Sequence, residues 1–576
     1  MRKSAILLTS LILAGSLLLS ACSSDNAGNT ANTGTGNVSG NSSNSNAENS
    51  AVDANQPIAA SDMAKLPALA QKRTDTIIVG LTNPSGAFTP YFQQSGYDGN
   101  VSSLLYSRLV TQDDKGLAVP ELAESWDISG DQLTYTFHLR KDLKFSDGSP
   151  MTADDVAFTW TLLYDKAYDG DSIIPSIGIK GGQDYKDGKT TTIEGIQVVD
   201  PLTVSVTLEK PIATAPIVLG GEVLSKAYYG KDYKFGDLEY IKKLHENPVG
   251  NGPYKLEKFI PGQEVRMVAN EYFYLGKPKT EHFIYKTSEG DTWQYLETGE
   301  VDYGSFTATQ DNLKKLKDMG YLNIVPYTPS VYGYLGVNLE HEAYKDKNVR
   351  QALAYGLDRQ GIYVDANQGA GQVANIPTAP ISWSYTEDGI NPYAYDPEKA
   401  KQTLDDAGWT VGSDGIREKD GKKLTLHFLG SKSPATDIFI AVATENFKEI
   451  GIDFQPEVFA DFNALVAKYE SGDYDLVSFS TPILSDPSDG VQQFINGEIK
   501  GYDNPQVKEL YYEALSTSDT EQRKQYYAEM YKILNDELPV IFTSYRKSYY
   551  AYNGRLDGVI NNPFAGFQDV NHWSLK

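Results

Sequence analysis

Few side chains of this sequence are spaced for covalent chemistry. Its six histidines, His138, His245, His282, His341, His427 and His572, are scattered and form no metal-ligand cluster. The stretch Gly182-Gln-Asp-Tyr-Lys-Asp-Gly188-Lys189-Thr190 approaches a phosphate-cradling loop. Its spacing is one residue too long and no clear buried strand feeds it, so it reads as a surface turn. No Gly-x-Ser-x-Gly elbow is found. Asp/Glu pairs are frequent, as 76 acidic residues dictate, but none is positioned for acid–base work. The expectation is a protein that is not an enzyme, with no cofactor and no metal.

One residue stands apart. Cys22 is the only cysteine, so there is no disulfide framework. It follows Arg2 and Lys3, an apolar run from Ala5 to Leu19, and then Ser20-Ala21. A charged start, a short apolar stretch and small residues at the cut site read as a secretory signal over 1–21. The run is too short for a comfortable membrane span, and no later segment is apolar enough for one. The Leu19-Ser-Ala-Cys22 end resembles a bacterial lipobox, which implies lipidation of Cys22 and a membrane anchor with two acyl chains. Residues 22–73 are expected to be the lipidated cysteine and a disordered tether, because Ser23 to Ser50 is mostly Asn, Ser, Gly and Thr. A flexible chain of roughly 50 residues reaches about 40 Å. Such a tether suits a thick-walled, Gram-positive type cell, with the protein on the extracellular face of the cytoplasmic membrane.

The remaining body is long enough for two or three domains. A net charge of −25 argues against nucleic acid or anionic lipid as a partner through a basic face. Its segments alternate between strand and helix patterns. Thr76 to Leu81 is an apolar run typical of a buried strand. Leu133, Tyr135, Phe137 and Leu139 alternate with polar residues. Thr152 with Asp155 makes a capping box for a helix bearing Val156, Trp160, Leu163 and Tyr164. Val331 to Leu339 alternates as a strand. Asp396-Pro397 starts a helix that Gly408 stops. Ser518 with Glu521 predicts one more capped helix. This is an α/β body.

Five blocks together resemble the family 5 extracellular solute-binding proteins of ABC importers, the peptide- and nickel-binding group. They are Pro120-Glu-Leu-Ala-Glu-Ser-Trp126 with Tyr135 to Arg140, Phe145 to Gly148 and Thr152 to Val156; Asn251-Gly-Pro-Tyr254 with Asn270 and Tyr272; Asn338 with Val349-Arg-Gln-Ala-Leu353 and Asp358-Arg359; Tyr395 to Ala400 with Ala407-Gly-Trp409; and Tyr474-Asp-Leu476 with Asp486-Pro487. Most of these residues suit turns and helix ends, so they identify a fold rather than a site. The resemblance implies a two-lobed periplasmic-binding-protein-like fold of type II, with the extra subdomain of the peptide-binding group. Lobe I would comprise 74–118, 249–335 and 543–576, the inserted subdomain 119–248, and lobe II 336–542. Chain crossings near Tyr334–Asn338 and Ile541–Tyr545 would form the hinge.

The same resemblance places a ligand between the lobes. The matching segments hold Asn83, Ser85 and Gly86 after the first strand; Ser480, Thr481, Pro482, Ile483 and Asp486; and Thr543 and Tyr545 on the returning crossing. Trp383 and Tyr385 are candidate aromatic walls. One departure matters. In the peptide binders an aspartate three residues before the acidic-Pro pair takes the ligand's ammonium group; here that position is Ile483, and Ser480 stands where an aromatic is common. A buried ammonium without a carboxylate is costly, so Asp486 or Asp489 would have to substitute, or the ligand lacks that group. The expected function is capture of oligopeptides by a monomer that delivers them to ABC permease subunits. The alternatives are an oligosaccharide or metal chelate on the same fold, or a peptide-signal sensor without transport.

Overall fold

A computed structural model of the chain describes residues 56–170, 172–288, 292–367 and 369–576. The signal segment and Cys22 lie outside them. Among the described residues, no helix is long and apolar enough to cross a membrane.

Two sheets organise the body. The first has seven strands in the order Leu322–Tyr327, Ser548–Asn553, Tyr303–Thr307, Thr76–Thr82, His282–Ser288, Glu264–Ala269 and Tyr254–Ile260. Thr76–Thr82 runs parallel to His282–Ser288, and its Ile77, Val79 and Leu81 point into the core. The second sheet has five strands in the order Asp453–Phe459, Thr425–Ser431, Leu476–Pro482, Val331–Val337 and Val540–Phe542. Each sheet anchors its own hydrophobic core, giving two lobes. A four-stranded antiparallel sheet, Ala123–Ile128, Thr134–Leu139, Thr203–Thr207 and Ile196–Asp200, supports the subdomain. Its core begins at Leu109 and ends at Val223, whereas Leu224 to Ile241 pack on the first-lobe core.

Local signals explain most elements. Tyr135, Phe137 and Leu139 are buried on alternate positions, as a period of two requires. Thr152 and Asp155 form the reciprocal capping box of helix Ala153–Leu163. Asp396 caps Pro397–Asp406 through the Lys399 N–H at 2.9 Å. One cap differs. The long helix starts at Thr520 and is capped by Asp519, whose Oδ1 accepts from the Glu521 and Gln522 N–H groups, not by Ser518. Aspartate is as strong a cap as serine, and one residue later it reaches two free N–H groups.

The sheet pairings also correct two boundaries. Val331–Val337 is hydrogen-bonded along its whole length to Leu476–Pro482, so the first crossing is Thr328-Pro-Ser330, several residues before the expected Tyr334–Asn338. The return runs from Val540–Phe542 through Ser544–Arg546, paired with Gly371–Val373, to Ser548–Asn553. Second, residues 56–73, expected to be tether, are docked on the first lobe. Ile58 exchanges two 2.8 Å backbone bonds with Ile324 on the edge strand, and Leu66 and Ala70 are buried. Covering an edge strand satisfies backbone groups that would otherwise be open to pairing.

Buried arginines hold second-lobe backbone to the strand that leads into the return crossing. Arg359 donates to Ala374 O and Phe542 O at 2.9 and 2.7 Å, and to Pro392 O and Tyr393 O. Arg350 donates to the carbonyls of Tyr344, Lys345 and Leu538. These motif residues therefore hold backbone, as their structural reading implied.

Candidate ligand-binding site

The loop after Thr76–Thr82, expected to form the first-lobe wall of the site, is organised by Asp98. This fully buried carboxylate accepts from Gly86 N–H at 2.9 Å, Gln94 N–H at 3.2 Å and Ser95 Oγ at 3.0 Å, and from Ser85 Oγ. Gly86 has φ +99°, and a Cβ there would lie 2.7 Å from the Phe259 ring. Only glycine takes this conformation and this approach without strain. Asn83 Oδ1 and Thr287 Oγ1, at the carboxyl end of the parallel pair, are buried with no hydrogen-bond partner, as is Ser330 Oγ on the crossing. Uncompensated buried polar atoms are costly, so an added polar group within reach of any of them is stabilising.

The segment expected to form the second-lobe wall is built differently. Ser480 is exposed and Thr481 and Pro482 are half-buried at the end of their strand, with Thr481 Oγ1 accepting from Gln493 Nε2 at 3.2 Å. Ile483 instead turns into the second-lobe core, and its N–H bonds Ser330 O at 2.8 Å. Asp486 is buried and committed. Both its oxygens lie 2.8 Å from Arg523 Nη2, Tyr527 OH donates at 2.9 Å, and it caps Pro487–Val491. Burial pushes its carboxyl up, but Arg523 more than offsets this and holds it below the usual range. Asp489 is also spent, accepting from the N–H groups of Leu484, Ser485 and Asp486. Neither aspartate is free to replace the missing carboxylate at Ile483. Thr543 and Tyr545 are buried too: Thr543 N–H bonds Gly333 O, and Tyr545 OH donates to Ile376 O at 3.2 Å. Their side chains pack in the hinge rather than line a cleft.

Trp383 and Tyr385 are half-buried. Trp383 meets the Tyr527 ring edge-on at 5.7 Å, and the Arg523 guanidinium lies 5.1 Å over its face. Tyr385 OH accepts from Gln372 Nε2 at 3.3 Å, and its ring packs on Tyr545.

The lobes touch along the subdomain edge. Trp383 N–H donates to Lys115 O at 3.1 Å, Gln112 Nε2 to Ser485 O at 2.9 Å, Ala213 N–H to Leu515 O at 2.7 Å, and Ser518 N–H to Gln132 Oε1 at 2.7 Å. Beside the Gln112–Ser485 contact lies a cavity of about 200 Å³, lined by Tyr91, Arg108, Ser172, Ile173, Ile174, Ile217, Val218, Gly221, Glu222 and Ser485. Sequence reasoning missed every one of these. Tyr91 adopts φ +70°, rare for an aromatic residue, and its OH donates to Glu222 O at 2.8 Å. A Cβ on Gly221 would lie 2.3 Å from that hydroxyl. Beneath, burial pushes the Glu121 carboxyl up to about 7, although Arg108 and Ser107 pull the other way.

Residues 118–503 match the model for bacterial extracellular solute-binding proteins, family 5 (Middle), which is more than half of the chain. The chain belongs to this family. Proteins of the family are extracellular or periplasmic components of ABC importers. The oligopeptide-binding protein AppA of Bacillus subtilis is 28% identical, over 100% of this chain and 99% of that one. Its structure with a nonapeptide matches at TM-score 0.66 and 27% identity, over 87% and 99% of the two chains. NikZ of Campylobacter jejuni, solved with Ni(L-His), matches at TM-score 0.70 and 27% identity, over 87% and 100%. As expected of this family, the body is a two-lobed α/β fold. Among the described residues there is no group of three metal-ligating side chains.

Proposed function

We propose that this chain captures oligopeptides between its lobes and delivers them to an ABC permease, held to the outer face of the membrane through a lipid on Cys22. The observation that carries the cargo is the full-length likeness to an oligopeptide-binding protein whose structure holds a nonapeptide. Two features support a peptide backbone as ligand: the half-exposed end of the extended strand Leu476–Pro482 and the unpartnered Asn83 Oδ1 would recognise main chain without choosing side chains. The lobes close productively only on a ligand that contacts both.

The site also limits how a peptide is held. With Ile483 in the core and Asp486 and Asp489 already engaged, no carboxylate of this loop is left for a terminal ammonium group. Calorimetry on free and N-acetylated forms of one peptide tests this. The two should bind within a few-fold of each other. A preference above about tenfold for the free amino terminus, about 1.4 kcal/mol, would show that a carboxylate takes it after all. Incorporation of labelled palmitate into the wild type and its loss in Cys22→Ser tests the anchor. Loss of peptide uptake on deletion separates a transport subunit from a sensor.

A further inference from the structure

Arg108 and Glu222 meet across an isolated β-bridge at the cavity between the subdomain and Ser485 of the second lobe. Their side chains are 34% and 24% exposed, and Arg108 Nε lies 3.8 Å from Glu222 Oε1. That is an ion pair but too long for a hydrogen bond. Arg108 Nε has no hydrogen-bond partner. The opposite charges are therefore close enough to cancel at a distance, yet Arg108 Nε keeps unused hydrogen-bonding capacity, while the Glu222 carboxylate lies beside the Tyr91 hydroxyl. The walls above them are aliphatic: Ile173, Ile174, Ile217 and Val218.

We propose that this cavity is a side-chain pocket that selects a neutral carboxamide, the group of a glutamine or asparagine residue or of an amidated terminus, with its oxygen on Arg108 and its NH₂ on Glu222. The inference rests on the peptide reading above. A ligand ammonium on Glu222 would sit within a few ångströms of the Arg108 guanidinium, and a carboxylate on Arg108 would sit equally near Glu222. In either case repulsion from one partner offsets attraction to the other, while the ligand charge still loses its water. A carboxamide sheds far less hydration than an ion and gains a charge-assisted bond at each end. Its short methylene stem lies against the isoleucines. Burial raises the Glu121 carboxyl to about 7, so near neutral pH it carries only part of its charge beside the pair.

The test is titration of the intact soluble domain with alanine-based heptapeptides carrying Gln, Glu or Lys at each position in turn. At one position the Gln peptide should bind at least about tenfold tighter than both charged analogues, about 1.4 kcal/mol. Glu222→Gln should move the preference at that position to Glu, and Arg108→Gln should move it to Lys. A purely structural pair would weaken all three peptides together. Peptides that bind with Glu or Lys equal to Gln at every position overturn the pocket assignment but leave peptide capture standing. If none of the peptides binds, the peptide reading fails and takes the pocket with it. The wild-type ranking alone decides the matter even if a variant does not fold.

Discussion

The Asp486–Arg523 pair is the sharpest point at which fold and ligand recognition can be told apart. Replacing Asp486 with alanine removes both 2.8 Å contacts to Arg523, the Tyr527 hydrogen bond and the cap on Ser488 N–H, and leaves a guanidinium in a site where the side chains are 8% and 7% exposed. Breaking a buried pair from one side costs about 3–5 kcal/mol. For a lobe of about 200 residues this lowers the transition by roughly 6–20 °C. Differential scanning calorimetry reads it directly. The double variant Asp486→Leu with Arg523→Met should recover most of the loss, since apolar replacement of both partners removes the stranded charge. The pH dependence has a fixed sign. Asp486 titrates below its unfolded value, so its contribution is present above about pH 4 and disappears as pH falls through the folded value. If Asp486→Ala leaves the transition within 1–2 °C but abolishes peptide binding, the carboxylate belongs to the ligand and the reasoning is wrong.

Further outcomes follow from other contacts. Gly86→Ala forces a side chain into φ +99° and against Phe259, and should cost about 1–3 kcal/mol together with ligand affinity; unchanged values in both thermal unfolding and titration would refute the role given to that turn. Gln112→Ala deletes one cross-lobe bond worth about 1 kcal/mol, so pulsed electron–electron distances between lobes should shift toward open forms about fivefold, against no change if the contact is idle. Glu121 is raised from an ordinary carboxyl to about 7 in the fold, facing Arg108, Ser107, Glu222 and Tyr274, with Arg140 on its carbonyl. The folded form therefore keeps a proton that the unfolded form has released, and stability should fall between about pH 4.5 and 7 by on the order of 3 kcal/mol. Chemical denaturation of Glu121→Gln should show that slope flattened, and an unchanged slope would contradict the assignment.

The fold was readable because its signals are local. Alternation in Thr134–Leu139, the Thr152–Asp155 box and the Asp396-Pro397 start depend on residues a few positions apart. The site was not, because its residues meet only through the fold. Asp486 finds Arg523 from 37 positions away. The cavity joins Tyr91, Arg108, Ile173, Glu222 and Ser485, five separate stretches with no shared motif. Ile483, expected at the ligand site, has a core side chain instead, so Ile483→Asp would bury an unpaired carboxylate. One signal was available and unused. Ser95 with Asp98 is a capping pattern, and Ser95 Oγ indeed accepts from Asp98 N–H at 3.2 Å in the helix that holds the Gly86 loop.

A protein that holds peptides between its lobes should carry them through purification. Native mass spectrometry of the purified chain addresses this most directly. A series of adducts with peptide masses, released on unfolding and restored by a defined peptide pool, is the predicted result. A chain that is always empty, and that gains no thermal stability from the same pool, would contradict it.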